Sequence, residues 1–217
     1  MRAVGGGLKR GFDVAASALG LVLTAPLLAA IAVGIVLDSP GPVFYRGSRV
    51  GRAGQIFRIF KFRTMVPQAD TLGGPSTADD DPRITRVGRW LRSYKLDELP
   101  QLLNVLRGEM SIVGPRPEVP QYAALLTGDE RAILSVRPGM TDWASIWDID
   151  EGRALAGSAD AERKYLEEIR PQKVRLQLKY VQEQSLSTDL RIIAQTVARL
   201  LRLRVVGERS TSGGPSR

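Results

Sequence analysis

VAASALGLVLTAPLLAAIAVGIVL, from Val14 to Leu37, is a stretch of twenty-four residues without a charge, closed by Asp13 on one side and Asp38 on the other. At about 1.5 Å per residue it would reach about 36 Å as a straight helix, and the hydrocarbon core of a bilayer is about 30 Å thick. Length alone therefore describes a span, but the flanks argue otherwise. Arg2, Lys9 and Arg10 precede the run, and Arg46, Arg49, Arg52, Arg58, Lys61 and Arg63 follow it. The retention of basic residues on the cytoplasmic side is satisfied at both ends only if both stay on one face. Pro26, in the middle, removes a backbone donor and crowds the carbonyl four residues back, at about 3 kcal/mol in a helix interior. A helix broken there enters the bilayer and leaves by the same face. A Pro-kinked single-pass anchor, with hydroxyl groups re-satisfying the freed carbonyls, fits the same residues, and charge and proline alone leave both open. A cleaved leader is not expected, because the run is too long and no small-x-small site precedes a mature start.

Composition narrows the chemistry. The chain has 217 residues, enough for one domain and an anchor, with a formal charge of +8 and a pI near 10.2. Such a balance implies anionic partners: phospholipid head groups, nucleotides or nucleic acid. Cysteine and histidine are absent, which excludes their use as nucleophiles, the Ser-His triad and the usual zinc sites. A protein-bound metal must then sit on Asp, Glu or carbonyl oxygen, a donor set that selects hard cations such as Mg²⁺.

Asp38-Ser39-Pro40-Gly41-Pro42 is a turn cluster that ends the apolar helix. Val43-Phe44-Tyr45 and Gln55 to Phe62 flank a glycine-rich link, Gly47 to Gly54, and predict a short hairpin. The polar stretch 67–83 is expected to be a surface loop, with Asp79-Asp80-Asp81 a solvated turn in preference to a metal site. From Glu98 the pattern is helical: Leu99, Leu102, Leu103 and Leu106 share a face, Pro100 sits in the first turn and Gly108 marks the stop. Three more helices are predicted, Ala161 to Ile169, Pro171 to Gln184 and Asp189 to Val205. The last carries Leu190, Ile193, Ala194, Val197, Leu200 and Leu201 on one face and Arg191, Arg199 and Arg202 on the other. That pattern suits a bilayer surface, but we read it as an ordinary packed helix with a solvated basic face. Residues 207–217, rich in Gly, Ser and Thr, are expected to be disordered.

Asp97 and Glu98 begin the Leu99–Leu106 helix, where aspartate caps and acids complement the dipole; taken alone, that accounts for them. Their company points further, since Arg86, Arg89, Arg92 and Lys95 precede them and Arg116 and Arg137 follow. Arg116 lies between Pro115 and Pro117, and Arg137 precedes Pro138-Gly139. Backbones stiffened by proline lose little entropy when their guanidinium groups grip an anion, and arginine forks match phosphate oxygens. Two surface arginines in stiff turns explain the same residues equally well.

Lys61-Phe62-Arg63-Thr64-Met65, Asp81-Pro82-Arg83-Ile84-Thr85 with Gly88, the long block from Leu96-Asp97-Glu98-Leu99-Pro100 to Gly114-Pro115-Arg116-Pro117, and Arg137-Pro138-Gly139-Met140-Thr141 closely resemble the bacterial sugar transferases. More narrowly, they resemble the small monotopic phosphoglycosyl transferases of the cytoplasmic membrane. The resemblance runs from Lys9-Arg10 through the Asp189 helix. It implies transfer of a sugar-1-phosphate from a nucleotide diphosphate sugar to a polyprenyl phosphate such as undecaprenyl phosphate, with release of the nucleoside monophosphate. It further implies Asp97 as the nucleophile, Glu98 as a holder of Mg²⁺, and Arg92, Arg116 and Arg137 near the phosphates or nucleotide. Lys61 and Arg63 belong to a matching motif. A carboxylate can form a covalent phosphoryl intermediate, and a cation and arginines can neutralise the developing charge.

Three positions depart from the family pattern: Ala25-Pro26 where Ser-Pro is usual, Asp142 where glycine is common before tryptophan, and Gln177 where an aspartate is often found. The expected architecture is α+β. It comprises a re-entrant N-terminal membrane helix over 1–40, a mostly helical domain with a small β-hairpin over 41–206 on the cytoplasmic face of the inner membrane, and a tail over 207–217. The rival reading from another class is a membrane-tethered basic module that binds anionic lipid or nucleic acid. It rests on charge alone, the known nucleic-acid motifs being absent, and no nucleic-acid partner is expected.

Overall fold

The uncharged run lies in one helix, α1 (Val4–Asp38), which continues as helix through Pro26 where a break is expected. The computed structural model describes residues 4–74, 76–148 and 151–211. Near its start α1 is fastened by polar bonds. Lys9 Nζ donates to the Val113 carbonyl at 3.0 Å and pairs with Asp189 at 2.5 Å. Arg10 donates to the carbonyls of Val105 and Leu106 at 2.6 and 2.9 Å, and Asp13 accepts from the Ile112 amide at 3.1 Å. Near its end Ile31 and Ile35 pack with Phe62 and Leu91, and Asp38 accepts from the Val87 amide at 3.0 Å. Between and around these anchors Leu19, Val22, Leu23, Val33, Val36 and Leu37 are exposed.

The predicted hairpin forms and is longer than expected. It consists of β1 (Phe44–Tyr45), β2 (Ser48–Val50), β3 (Ile56–Arg58) and β4 (Lys61–Phe62), with β1 antiparallel to β4 and β2 to β3. Phe44 faces Phe62, Ser48 faces Arg58 and Val50 faces Ile56 in one continuous register. Three residues of the expected glycine-rich link, Ser48–Val50, are therefore strand, and the reversal falls at Ala53 (φ 55°) and Gly54 (φ 77°).

In the polar stretch a one-turn helix, α2 (Ala69–Leu72), is held by Arg83, which donates to the Ala69 carbonyl at 2.9 Å and pairs with Asp81 at 2.6 Å. Next comes α3 (Arg86–Ser93), capped by the Thr85 hydroxyl, which accepts from the Gly88 amide at 3.0 Å. A Cβ on Gly88 would lie 2.0 Å from the Thr64 carbonyl oxygen, so glycine is what allows α3 to settle against the chain leaving β4. Lys95 (φ 56°) then leads into a 3₁₀ turn, Leu96–Gln101, which becomes α4 (Leu102–Arg107) and ends at Gly108 (φ 81°) as expected.

The sequence reading missed a parallel pair. β5 (Ser111–Val113) follows α4 and pairs with β6 (Gly139–Thr141), with α5 (Pro120–Ala123) between them. Beyond lie α6 (Trp143–Trp147), α7 (Glu151–Leu155), α8 (Ala161–Lys164), α9 (Arg170–Glu183) and α10 (Leu186–Thr211). Asp142, one of the departures from the family pattern, caps α6 by accepting from the Ser145 amide at 2.7 Å. A π-helical turn, Tyr165–Ile169, joins α8 to α9. The two helices predicted on either side of Pro171 are thus one, the wider turn absorbing a residue that lacks a donor. Among the described side chains of α10, Asp189 and Ile192 are fully buried, and Ile192 and Ile193 pack with Val113 and Tyr180. Leu190, Val197 and Leu201 are exposed, so the helix packs on the domain as expected while part of its apolar stripe faces outward. Of the tail expected to be disordered over 207–217, residues 207–211 continue α10, and 212–217 lie outside the described residues.

Candidate active site

β4 and the 3₁₀ turn bring Lys61 against Asp97. The Asp97 carboxylate is 2 % exposed; Oδ2 lies 2.8 Å from Lys61 Nζ, and Oδ1 is buried without a hydrogen-bond partner. The helix-cap account of Asp97 fails, because Lys95 holds the capping position and Asp97 accepts no backbone amide. Glu98 points into the same group of cations. Arg116 grips it as a fork, Nη1 donating to Oε2 at 2.9 Å and Nη2 to Oε1, while Lys61 stands 3.4 Å from Oε1. Burial alone would raise the Glu98 carboxyl, but Arg116 and Lys61 together hold it well below the usual carboxylate range. Glu98 in turn holds Arg116 firmly protonated.

Lys61 and Arg116, which hold Asp97 and Glu98, line a cleft of about 1020 Å³ together with Arg92 and Gln101 among others. Gln101, unassigned in the sequence reading, is 1 % exposed, and both its Oε1 and Nε2 lack partners. Burying an amide unpaired costs about 1–3 kcal/mol, which marks Gln101 as a residue completed by a ligand. Its place one turn beyond Asp97-Glu98 was the available signal.

Two expected phosphate binders bind carbonyls of the scaffold, one of them, Arg63, from the lining of the same cleft. Arg63, 7 % exposed, donates to Pro42 O at 2.6 Å, Ser39 Oγ at 2.7 Å and Ser39 O at 2.8 Å, tying down the turn after α1. Arg137 is absent from the cleft lining and donates through Nε to the Gly108 carbonyl at 2.9 Å. Sequence shows a guanidinium but not the carbonyls that fill it. Gln177 is buried away from this cleft, against Arg170 and Val174.

Among the described residues no three acidic side chains converge to hold a metal, and Asp81 of the aspartate run pairs with Arg83. Both Glu98 oxygens are engaged by cations. Asp97 Oδ1 and Gln101 Oε1 are the buried oxygens left unpartnered beside the cleft. A hard cation that completes its shell with water and phosphate would be held by Gln101 Oε1 and, once Arg116 and Lys61 turn to phosphate, by Glu98.

The family model of the bacterial sugar transferases matches residues 4–203, and the chain belongs to that family. It is 42 % identical over 199 residues to the UDP-glucose:undecaprenyl-phosphate glucose-1-phosphate transferase of Caulobacter vibrioides, covering 89 % of this chain and 69 % of the relative. It is 36 % identical over 197 residues to the UDP-N-acetylgalactosamine-undecaprenyl-phosphate N-acetylgalactosaminephosphotransferase of Aeromonas hydrophila, covering 89 % of this chain and 44 % of that longer relative. Against the exopolysaccharide production protein ExoY of Rhizobium meliloti the identity is 37 % over 212 residues, 91 % of this chain and 87 % of the relative.

Proposed function

We propose that this chain transfers a sugar-1-phosphate from a UDP-sugar to undecaprenyl phosphate, releasing UMP, through a covalent phosphosugar on Asp97. The observation that carries the reading is the asymmetry of the Asp97 carboxylate, one oxygen oriented by Lys61 and the other unpartnered. The unpartnered oxygen attacks the sugar-bearing phosphorus of the donor. A P–O bond forms to Asp97, the bond to the bridging oxygen breaks, and UMP leaves with that electron pair. A phosphate oxygen of the lipid then attacks the same phosphorus and releases the carboxylate. Lys61 and Arg116 lie where they can exchange their protein carboxylates for diphosphate oxygens, so cationic charge is in place before negative charge develops. A divalent cation held by Glu98 and Gln101 would neutralise part of the diphosphate charge. The names of the relatives support undecaprenyl phosphate as acceptor; two of them differ in the sugar, so the sugar is left open.

The membrane placement follows from α1. Its 33-residue stretch Gly6–Asp38 is long and apolar enough to cross a bilayer by length and composition. Yet Lys9, Arg10 and Asp13 at one end and Asp38 at the other bind a single domain. Ends moored to one body support a monotopic, re-entrant seat on the cytoplasmic side of the inner membrane over a straight span. The outward apolar residues of α10 add to that surface.

Wild-type protein given a UDP-sugar without lipid should release UMP and gain one sugar-phosphate on the Asp97 peptide, lost to hydroxylamine. Asp97→Asn should do neither. UMP release only after lipid addition would exclude the covalent step.

A further inference from the structure

The cleft lining is largely cationic, with Lys61 against Asp97; its carboxylates are Glu118 and Glu151, which share the lining with Tyr122, Tyr165 and Lys173. Lys173, 5 % exposed, is engaged by Glu151 Oε2 at 2.7 Å and lies 4.9 Å from the centre of the Tyr165 ring. The Tyr165 hydroxyl donates to Glu118 Oε1 at 3.4 Å, leaving Glu118 bonded through one oxygen. Tyr122 stacks on Tyr165 with centroids 4.9 Å apart and donates to Glu162 Oε1 at 2.7 Å, while Glu162 Oε2 is buried without a partner.

The carboxylates of this wall are Glu118 and Glu151, against one ammonium already paired with Glu151. Such a wall disfavours phosphate. Carboxylates that line a cleft are acceptors for neutral hydroxyl groups, and a site that hydrogen-bonds a substrate hydroxyl discriminates strongly against ligands lacking it. The Glu151–Lys173 pair fixes the position of one acceptor, and the stacked tyrosines fix the depth of the wall.

We propose that the Glu118–Tyr165–Glu151 wall binds the neutral, hydroxyl-bearing ring of the nucleotide sugar, ribose or hexose, while the diphosphate lies at Lys61 and Arg116. The assignment rests on the reading of the Asp97 end as the diphosphate site. No residue of this wall lies in the motifs that carry the family resemblance.

Calorimetric titration of the full chain in detergent with Mg²⁺, using inorganic pyrophosphate, UMP and UDP-glucose as probes, separates the possibilities. Glu118→Gln should weaken UDP-glucose about tenfold, the loss of a hydroxyl bond to a charged acceptor, and leave pyrophosphate unchanged. Tyr165→Phe keeps the ring and its packing, and should give a smaller change in the same direction should Glu118→Gln misfold. A parallel loss of UMP affinity assigns the ring as ribose; UMP binding at wild-type strength assigns it as hexose. Unchanged UDP-glucose affinity in both variants, or an equal loss for pyrophosphate, overturns the wall as a ring site. Wild-type protein that binds neither pyrophosphate nor UDP-glucose would instead sink the diphosphate reading, and this assignment with it.

Discussion

Gln101→Met sets stability against function. The native amide is 1 % exposed with neither polar atom bonded, and methionine replaces it with an unbranched apolar chain of nearly the same length. The exchange removes an unsatisfied buried group worth about 1–3 kcal/mol, while a volume-conserving swap costs under about 1.5 kcal/mol in repacking. For a chain of this size each kcal/mol moves Tm by about 2–4 °C, so a net gain of about 1 kcal/mol raises Tm by a few degrees. If the amide also receives the donor diphosphate or its cation, the variant loses a bond to a charged group, about 1.5–3 kcal/mol, and donor affinity falls tenfold or more. Unfolding followed through the three tryptophans, with and without UDP-glucose and Mg²⁺, reads both effects. The apo Tm should rise, and the upward shift on adding ligand should shrink. A lower apo Tm would mean that the amide is bonded in the folded protein. A raised Tm with a full ligand shift would remove Gln101 from the site.

Single cysteines at Gly5 and Ser48, clean probes because the chain has no thiol, should both be labelled from the cytoplasmic side alone; labelling from opposite sides would establish a span. EDTA should abolish UMP release, and Mg²⁺ or Mn²⁺ should restore it; full turnover in chelator would leave Glu98 and Gln101 without a cation to hold. Burial, and after it Glu151, pushes Asp148 up to about 8, whereas on Glu151 burial is outweighed by Lys173, Asp148 and Arg116 together, which hold it at about 2. The folded protein therefore keeps on Asp148 a proton that the unfolded chain releases near pH 3.9, and the stability this adds at low pH is lost as the pH climbs toward 8. Asp148→Asn should then gain on wild type in denaturant midpoint between pH 5 and pH 8.5; a constant difference across that range would refute the shift.

Local signals were legible where one short stretch decides the outcome. Asp38 to Pro42 ends α1, Gly108 ends α4, and the alternation around Phe57 makes a hairpin. The β5–β6 pair was not legible, because three-residue strands of Ser-Ile-Val and Gly-Met-Thr gain their meaning from each other across the fold. Pro171 read as a boundary because a π turn leaves no mark in side-chain periodicity. At the site, the acid pair and Arg116 stood out as motif. Arg63 and Arg137 looked the same as Arg116 and turned out to hold carbonyls. The wall around Glu118 was invisible because Tyr122, Glu151, Tyr165 and Lys173 come from four separate segments. The outward face of α10 was ambiguous until Ile192, one residue off the predicted stripe, proved to be the buried one.

Lys9 and Asp189 meet across 180 positions of chain, and this orders events during synthesis. The ribosome delivers α1 before its binding partners, so this apolar helix waits for its receptor while the 180 positions up to Asp189 are made. Contacts so distant in sequence form slowly, and an uncovered apolar helix aggregates in water; the bilayer is the housing that keeps it competent in the interval. The domain then closes onto a helix already lodged in lipid. A fragment begun after residue 40 would strand the Ile112 amide and the Asp189 carboxylate and lay Phe62 and Leu91 open. The membrane segment is thus one wall of the folded body, and cutting it away to obtain a soluble enzyme removes part of the enzyme.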